Sequence, residues 1–359
     1  MNSGIIGGEL FPRNIGVILV QQRILDALNH QRSTTPPVWF MRQAGRSLPE
    51  YKKAREGIAM LDSCLMPELA AEITLQPVRR HDVDAAIFFS DIMVPLRLAA
   101  VGVDIQPGVG PVLDSPVRTA RDIAALPAPT FDDASMIAEA ISLIRAELTP
   151  EKTLLGFAGA PFTLAAYMVE GRPSKDHLRA RALMHSDPDT WDKLLTWCAT
   201  VSNLFLHVQI DAGAQAVQLF DSWAGSLSRE TYARHVLPYS TQALENVTVP
   251  RIHFGTNTAH FLDLMAEGVE AVGVDHRLPL DEAARIVPDT VLQGNIDPAL
   301  LFAGADTLHA HALDIVRRGL AAPAHIVNLG HGVPPTTDPG VLTELVAYLH
   351  SLDTDKLIG

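Results

Sequence analysis

Val38-Trp39-Phe40-Met41-Arg42-Gln43-Ala44-Gly45-Arg46 is a short apolar run that stops abruptly at two arginines flanking a Gln-Ala-Gly turn. A continuous apolar run bounded by turn residues reads as a strand buried on both faces. The same pattern recurs at Ala85–Phe89, Thr153–Phe157, Ala216–Phe220, Arg251–Phe254, Ala271–Val274, Val291–Gln293 and Ala324–Leu329, which makes eight runs in all. Between most of them lie amphipathic stretches with helical spacing, at Pro67–Val78, Ala134–Glu147, Pro188–Ile210, Arg229–Glu245, Asn257–Glu267 and Pro339–Leu349. Buried strands alternating with helices imply a parallel sheet.

Eight such units predict an α/β fold in the form of a single-domain (β/α)8 TIM barrel, with an open doubly wound sheet as the competing arrangement. The unusual residues favour the barrel. Arg42, Asp91, Gly159, Ser222, Gly255, Asp275, Asn295 and Gly330-His331 all fall at or just past the C-terminal ends of the runs. A barrel gathers those ends around one mouth, whereas an open sheet spreads them apart. Between Asp91 and Pro127 the chain makes a longer excursion, in which Val101–Ile105 and Gly110–Leu113 read as a small hairpin. No linker divides the chain, so residues 21–359 are read as one barrel domain and residues 1–20 as an N-terminal extension.

Composition narrows the function. A 47% hydrophobic and 19% charged chain of 359 residues is that of a globular protein with a large core, and no apolar run approaches a membrane span. A net charge of −13 argues against nucleic acid as a partner, and it requires that any polyanionic ligand be held by local cations. Two distant cysteines, Cys64 and Cys198, give no disulfide framework and point to a reducing, cytoplasmic setting. The chain has no GxxxxGK[ST], HExxH, CxxC or GxSxG motif, and Gly108-Val109-Gly110 lacks the third glycine of a dinucleotide fingerprint. Its histidines form no ligand spacing, so no metal is expected.

The paired guanidiniums at a strand exit suit a ligand with several carboxylates or phosphates, and pairing with surface Asp or Glu is the plainer alternative. Asp91, after Phe88-Phe89-Ser90, sets a carboxylate against aromatic surface, where it needs a donor. That donor is either Arg42 or Arg46, or the N–H groups of a ligand. Tyr167 reads as a packing residue or as a hydroxyl facing the cavity. Ser222 and His331 would form a nucleophilic pair only with a nucleophile-elbow turn, which is missing. A histidine satisfied by backbone between Gly330 and Gly332 is the plainer reading of His331.

The motifs resemble the uroporphyrinogen decarboxylase family of haem biosynthesis. The stretches that carry the resemblance are Trp39–Arg46, Phe89–Ile92, Gly156–Leu164, Tyr167–Gly171, Phe220–Gly225, Gly294–Pro298 and Asn328–Gly332. The resemblance implies a (β/α)8 barrel, a homodimer, and removal of the acetate carboxyls of uroporphyrinogen III without a cofactor, giving coproporphyrinogen III. It places Arg42, Gln43, Ala44, Gly45 and Arg46 on the tetrapyrrole, with the arginines at its carboxylates and Arg55 as a weaker addition. It sets Asp91 at the pyrrole N–H groups, makes Asp91 and Arg42 the catalytic pair, and lines the cleft with Tyr167, Ser222 and His331. Ser47, Arg172-Pro173 and His276 depart from the family pattern at positions usually held by Tyr, a glycine run and Trp. Two other functions compete. One is a zinc- or corrinoid-dependent methyltransferase of a related barrel family, for which neither cysteine has a His-x-Cys ligand set, and the other is a non-catalytic tetrapyrrole carrier.

Overall fold

Seven parallel strands follow one another across the sheet in their order along the chain. The computed structural model describes residues 21–45 and 47–357, so the extension read over 1–20 and the residue Arg46 lie outside the described residues. The strands are β1 (Ala85–Ile87), a hairpin of β2 (Val103–Gln106) and β3 (Gly110–Leu113), then β4 (Thr153–Gly159), β5 (Ala216–Asp221), β6 (Arg251–Gly255), β7 (Ala271–Gly273), β8 (Val291–Gln293) and β9 (His325–Ile326). The main sheet runs β1-β4-β5-β6-β7-β8-β9, and β2 pairs only with β3. A doubly wound sheet reverses its order partway, and this one never does. Right-handed crossovers in a single direction put every helix on one face, so the other face is buried only if the sheet curls. All seven positions of β4 are buried, which requires cover on both faces.

The expected first strand, Val38–Met41, is not a ladder strand. It makes only an isolated parallel bridge, Val38 to Val327. Side chains take the N–H groups that a ladder would use. Val38 donates to Asp84 Oδ2 at 2.9 Å, Phe40 to Gln43 Oε1 at 2.9 Å and Met41 to Asn328 Oδ1 at 3.1 Å. The segment nevertheless touches both edges of the sheet, because Asp84 N–H donates to Val38 O and Val327 N–H donates to Pro37 O, each at 2.8 Å.

Helices appear where helical spacing predicts them, including Pro67–His81, Ser135–Glu147, Pro188–Asp211 and Pro339–Ser351. The stretch read as one helix over Arg229–Glu245 is broken into Arg229–His235 and Leu237–Ala243, with Pro238 in the first turn of the second piece, where its missing N–H costs no intrahelical bond. Asn257–Glu267 contracts to a 3-10 turn, Ala259–Phe261, and a four-residue helix, Leu262–Met265. The hairpin is tied to the helix Pro161–Glu170, since Leu113 N–H donates to Gly171 O at 3.0 Å and Val117 N–H to Met168 O at 2.9 Å. No helix among the described residues is long and apolar enough to cross a membrane.

Candidate active site

The C-terminal ends of parallel strands form one rim, and the chemistry predicted from the sequence collects there. Arg42 leaves the Val38–Met41 segment with φ at +63°, a left-handed turn that redirects the chain at once. Its neighbour Gln43 is fully buried, and its carboxamide accepts from Phe40 N–H and donates to Ala85 O at 2.8 Å. That side chain therefore shapes the turn from within the fold. Ala44 is partly buried and packs on the core, and Arg55 turns toward Met60 Sδ, 3.0 Å away, with its guanidinium 5.4 Å from the Tyr51 ring centre.

Two glycines set what stands beside His331. A Cβ added at Gly332 would lie 2.5 Å from Arg42 Cδ and 2.8 Å from its Cγ, so the Arg42 side chain crosses the space that glycine leaves open. A Cβ at Gly330 would lie 2.3 Å from the backbone nitrogen of His276. His331 is thereby flanked by Arg42 on one side and His276 on the other. Both contacts are well inside van der Waals range, and neither involves the free end of a side chain. Gly332→Ala should displace Arg42 and raise KM at least about fivefold with little change in unfolding midpoint, which steady-state kinetics and a thermal melt check together.

Asp91 follows β1, accepts from Met93 N–H through Oδ1 at 2.9 Å and is partly buried. Tyr167 sits on the helix Pro161–Glu170. Burial, reinforced by the Asp91 charge and opposed by Arg42, holds its hydroxyl protonated well above the usual phenol range. A hydroxyl that feels both an acidic and a basic group lies within electrostatic reach of each. The Tyr167 ring packs at a tilt on Trp223 with centres 3.8 Å apart, and His177 backs Trp223 from 4.2 Å. Trp223 is thus a wall residue whose only mark in the sequence is its place after Asp221-Ser222 in the Phe220–Gly225 motif.

His331 is held below the usual imidazole range, first by burial, then by Arg42, His276 and Arg277, against a smaller opposing effect of Asp275. It is neutral at pH 7. Ser222 stands at the same rim, where its carbonyl accepts from Thr256 Oγ1 at 2.7 Å. No hydrogen bond links Ser222 with His331, so the two do not form a nucleophilic pair in the described residues. The adjacent Asp221 is fully buried on the other face of β5, where Oδ1 accepts from Thr163 Oγ1 at 2.9 Å. Among the described residues no group of three or more His, Cys, Asp or Glu is placed to hold a metal ion. Cys64 and Cys198 are both buried thiols that burial pushes up, away from thiolate.

Of the departures noted in the sequence, Ser47 is buried, and Pro173 packs against Gly110 of the hairpin, where an added Cβ would lie 3.1 Å from its Cγ. His276 joins the rim.

Comparison with known proteins agrees with the motifs. The family described as Uroporphyrinogen decarboxylase (URO-D) matches residues 19–352. A uroporphyrinogen decarboxylase of Arthrobacter sp. (strain FB24) is 61% identical over 339 residues, spanning 92% of this chain and 97% of the relative. One from Corynebacterium diphtheriae is 56% identical over 337 residues, spanning 91% and 98%. Among solved structures, a methyltransferase from Methanosarcina mazei superposes with a TM-score of 0.76 at 18% identity, covering 95% of this chain and 99% of its own. A B12-independent methionine synthase from Shewanella sp. W3-18-1 gives a TM-score of 0.55 at 10% identity, covering 80% and 88%. At such identities these two likenesses concern the fold alone.

Proposed function

The chain belongs to the uroporphyrinogen decarboxylase family, and we propose that it decarboxylates uroporphyrinogen with Asp91 and Arg42 as the groups that act on the reacting ring. It is an enzyme of porphyrin biosynthesis, converting the acetate side chains of uroporphyrinogen III to the methyl groups of coproporphyrinogen III. The observation that supports the site assignment is geometric: Arg42 leaves its segment in a left-handed turn and crosses the space beside Gly332, next to His331, while Asp91 is held by Met93 N–H just past the end of β1.

Each turnover exchanges a carboxylate for a proton. The C–C bond to CO2 breaks, its electron pair stays on the side chain, and one proton is taken up. Loss of CO2 from an acetate on a neutral pyrrole would leave a localised carbanion. Protonating the ring at carbon first lets the ring take up the C–C electron pair as CO2 leaves; the exocyclic methylene so formed is then protonated to the methyl group and the ring carbon gives its proton back, so one proton is taken up net and no separate cofactor is required for this step. Asp91, fixed at the rim, stabilises the cationic ring as charge develops and accepts the pyrrole N–H groups. Arg42 and Arg46 hold carboxylates, and Gln43, Ala44 and Gly45 shape the turn that presents them. Tyr167 and Ser222 line the cleft, and neutral His331 offers a hydrogen bond beside Arg42.

The fold reading goes with this. We take residues 21–359 as one domain in which Val38–Met41 completes a closed (β/α)8 barrel. Support comes from its bonds to both sheet edges, and from the Trp39 Nε1 donation to Gln293 Oε1 at 3.0 Å, continued by Gln293 Nε2 to Gln218 Oε1 at 2.9 Å. A homodimer follows from the family resemblance and is testable by sedimentation. A cytoplasmic location is supported by two unpaired, buried thiols.

Anaerobic incubation with uroporphyrinogen III should yield coproporphyrinogen III through partly decarboxylated intermediates. Recovery of bound but unchanged uroporphyrinogen would leave only a carrier and overturn the reading.

A further inference from the structure

We propose that Thr163 and Asp221 are positioning residues whose buried hydrogen bond sets the helix face carrying Tyr167 against the strand end carrying Ser222 and Trp223. The inference rests on the decarboxylase reading, in which Tyr167 and Ser222 line the cleft, and it deepens that reading with a pair that acts from behind the wall. Thr163 is 1% exposed and Asp221 0%, so neither side chain is open to the substrate itself.

The placement follows from two short spacings. Thr163 and Tyr167 lie four residues apart on the helix Pro161–Glu170, and residues at that spacing share a face. Asp221 ends β5, and Ser222 and Trp223 are the next two residues. The Thr163 hydroxyl donates to Asp221 Oδ1 at 2.9 Å, and one turn further along the helix the Tyr167 ring packs on Trp223 with centres 3.8 Å apart. The same two segments are thus joined twice, by a buried polar contact and by the ring pair. Eight of the ten residues of this helix are buried, and the two exceptions are Tyr167 and Glu170. Apolar burial of that extent holds the helix on the sheet but is non-directional, whereas a hydrogen bond specifies an orientation.

The chemistry of the pair supports a role beyond packing. Asp221 Oδ2 has no hydrogen-bond partner among the described residues, and His253 Nε2 stands 3.9 Å from it. A fully buried carboxylate with one hydrogen-bond donor is costly, and apolar groups of similar shape would join helix and strand at less cost. What the carboxylate adds is a fixed geometry between Tyr167 and the segment Ser222-Trp223.

Thr163→Val keeps the shape of the side chain and removes the hydroxyl. It should lower kcat/KM for uroporphyrinogen III about fivefold to tenfold, the scale of a wall residue displaced from its productive place. Thr163→Ser keeps the donor and should stay within about twofold of wild type. The deciding measurement is a double-mutant cycle. In a Tyr167→Ala background the group through which the pair acts is gone, so Thr163→Val should change kcat/KM by less than about twofold. A merely structural role, such as a smaller folded fraction, would lower activity by the same factor in both backgrounds. If Thr163→Val fails to fold, Thr163→Val combined with Asp221→Asn takes its place in both backgrounds, because a neutral amide is less costly to leave buried without a partner. The inference is overturned if loss of the hydroxyl changes kcat/KM less than about twofold in the wild-type background, or if the loss is the same with Tyr167 and without it. Either result leaves the decarboxylase reading standing as long as the wild-type protein forms coproporphyrinogen III. A wild-type protein that forms none overturns that reading, and this inference falls with it.

Discussion

Replacing Asp91 by Asn should lower kcat at least about 100-fold, on the scale of one lost preorganised electrostatic contact, while tetrapyrrole binding stays measurable. The substitution is close to isosteric. An asparagine Oδ1 can still accept from Met93 N–H, so the turn that opens the helix Val94–Leu98 is kept. What disappears is the negative charge, and the charge is what a protonated pyrrole ring requires. In bulk water its loss would matter little, because the solvent would reorient around the cation. At a partly buried rim backed by Phe88 and Phe89, both nearly inaccessible to solvent, the fixed carboxylate acts with much less screening. In the proposed site the arginines would supply most of the binding energy through the peripheral carboxylates, which is why affinity should survive when turnover does not. Single-turnover decarboxylation alongside equilibrium binding of coproporphyrin separates the two effects. Near-normal turnover in Asp91→Asn would remove Asp91 from the catalytic role. Loss of binding with kcat unchanged would make it a ground-state contact only.

Most of the architecture was legible because it depends on hydrophobic periodicity. The seven strands of the main sheet coincide with seven of the apolar runs, and the candidate site residues lie just past the run ends. The run Val38–Met41 reads as a ladder strand yet makes only an isolated bridge, for a definite reason. Asp84, Gln43 and Asn328 lie 46, 3 and 287 residues from the N–H groups they accept, and no local pattern indicates that side chains will replace backbone partners. The same limit hid the Tyr167–Trp223–His177 ring cluster and the placement of His276. Each depends on contacts between residues far apart in sequence. Gly330-His331-Gly332 is an intermediate case, since its glycines could be read as turn formers. Only the fold reveals that each of them leaves room for a different neighbour, His276 or Arg42. Gln43 belongs to the motif that carries the family resemblance, yet its carboxamide is engaged within the protein, so at least part of the motif is fold-forming.

At the opposite end of the strands from the cleft, Asp84→Ala should destabilise the protein by about 3 kcal/mol, the lower end of the cost of breaking a buried ion pair. The Asp84 side chain is only 3% exposed and joins four parts of the chain. Its Oδ1 meets Arg23 Nη1 of the first helix at 2.8 Å, and Oδ2 accepts from Val38 N–H at 2.9 Å and lies 2.9 Å from His350 Nε2 of the last helix. Lys152 Nζ, just before β4, stands 4.0 Å away. Truncation leaves these donors facing a void, and the N–H of Val38 loses the acceptor that holds the Val38–Met41 segment beside β1. The cost stays at this lower end because Arg23 is 31% exposed and can regain water. The expected fall in the melting midpoint is roughly 4 °C for a chain of this size. Burial alone would raise the Asp84 carboxyl. The hydrogen bond and charge of His350, with the Val38 N–H and Arg23, outweigh that and hold it below its ordinary value of 3.8. A depressed carboxyl contributes stability that is fully present above the ordinary value and is lost as pH falls through the depressed one. The stability gap between wild type and Asp84→Asn should therefore be wide at pH 6 and narrow steadily below about pH 4, measured by urea unfolding across that range. A gap that does not change with pH would mean that Asp84 acts through shape and hydrogen bonding alone. Because the residue is remote from the rim, kcat of the folded Asp84→Asn protein at pH 7 should match wild type, and any large loss of turnover would tie closure of the fold by the Val38–Met41 segment directly to the setting of Arg42.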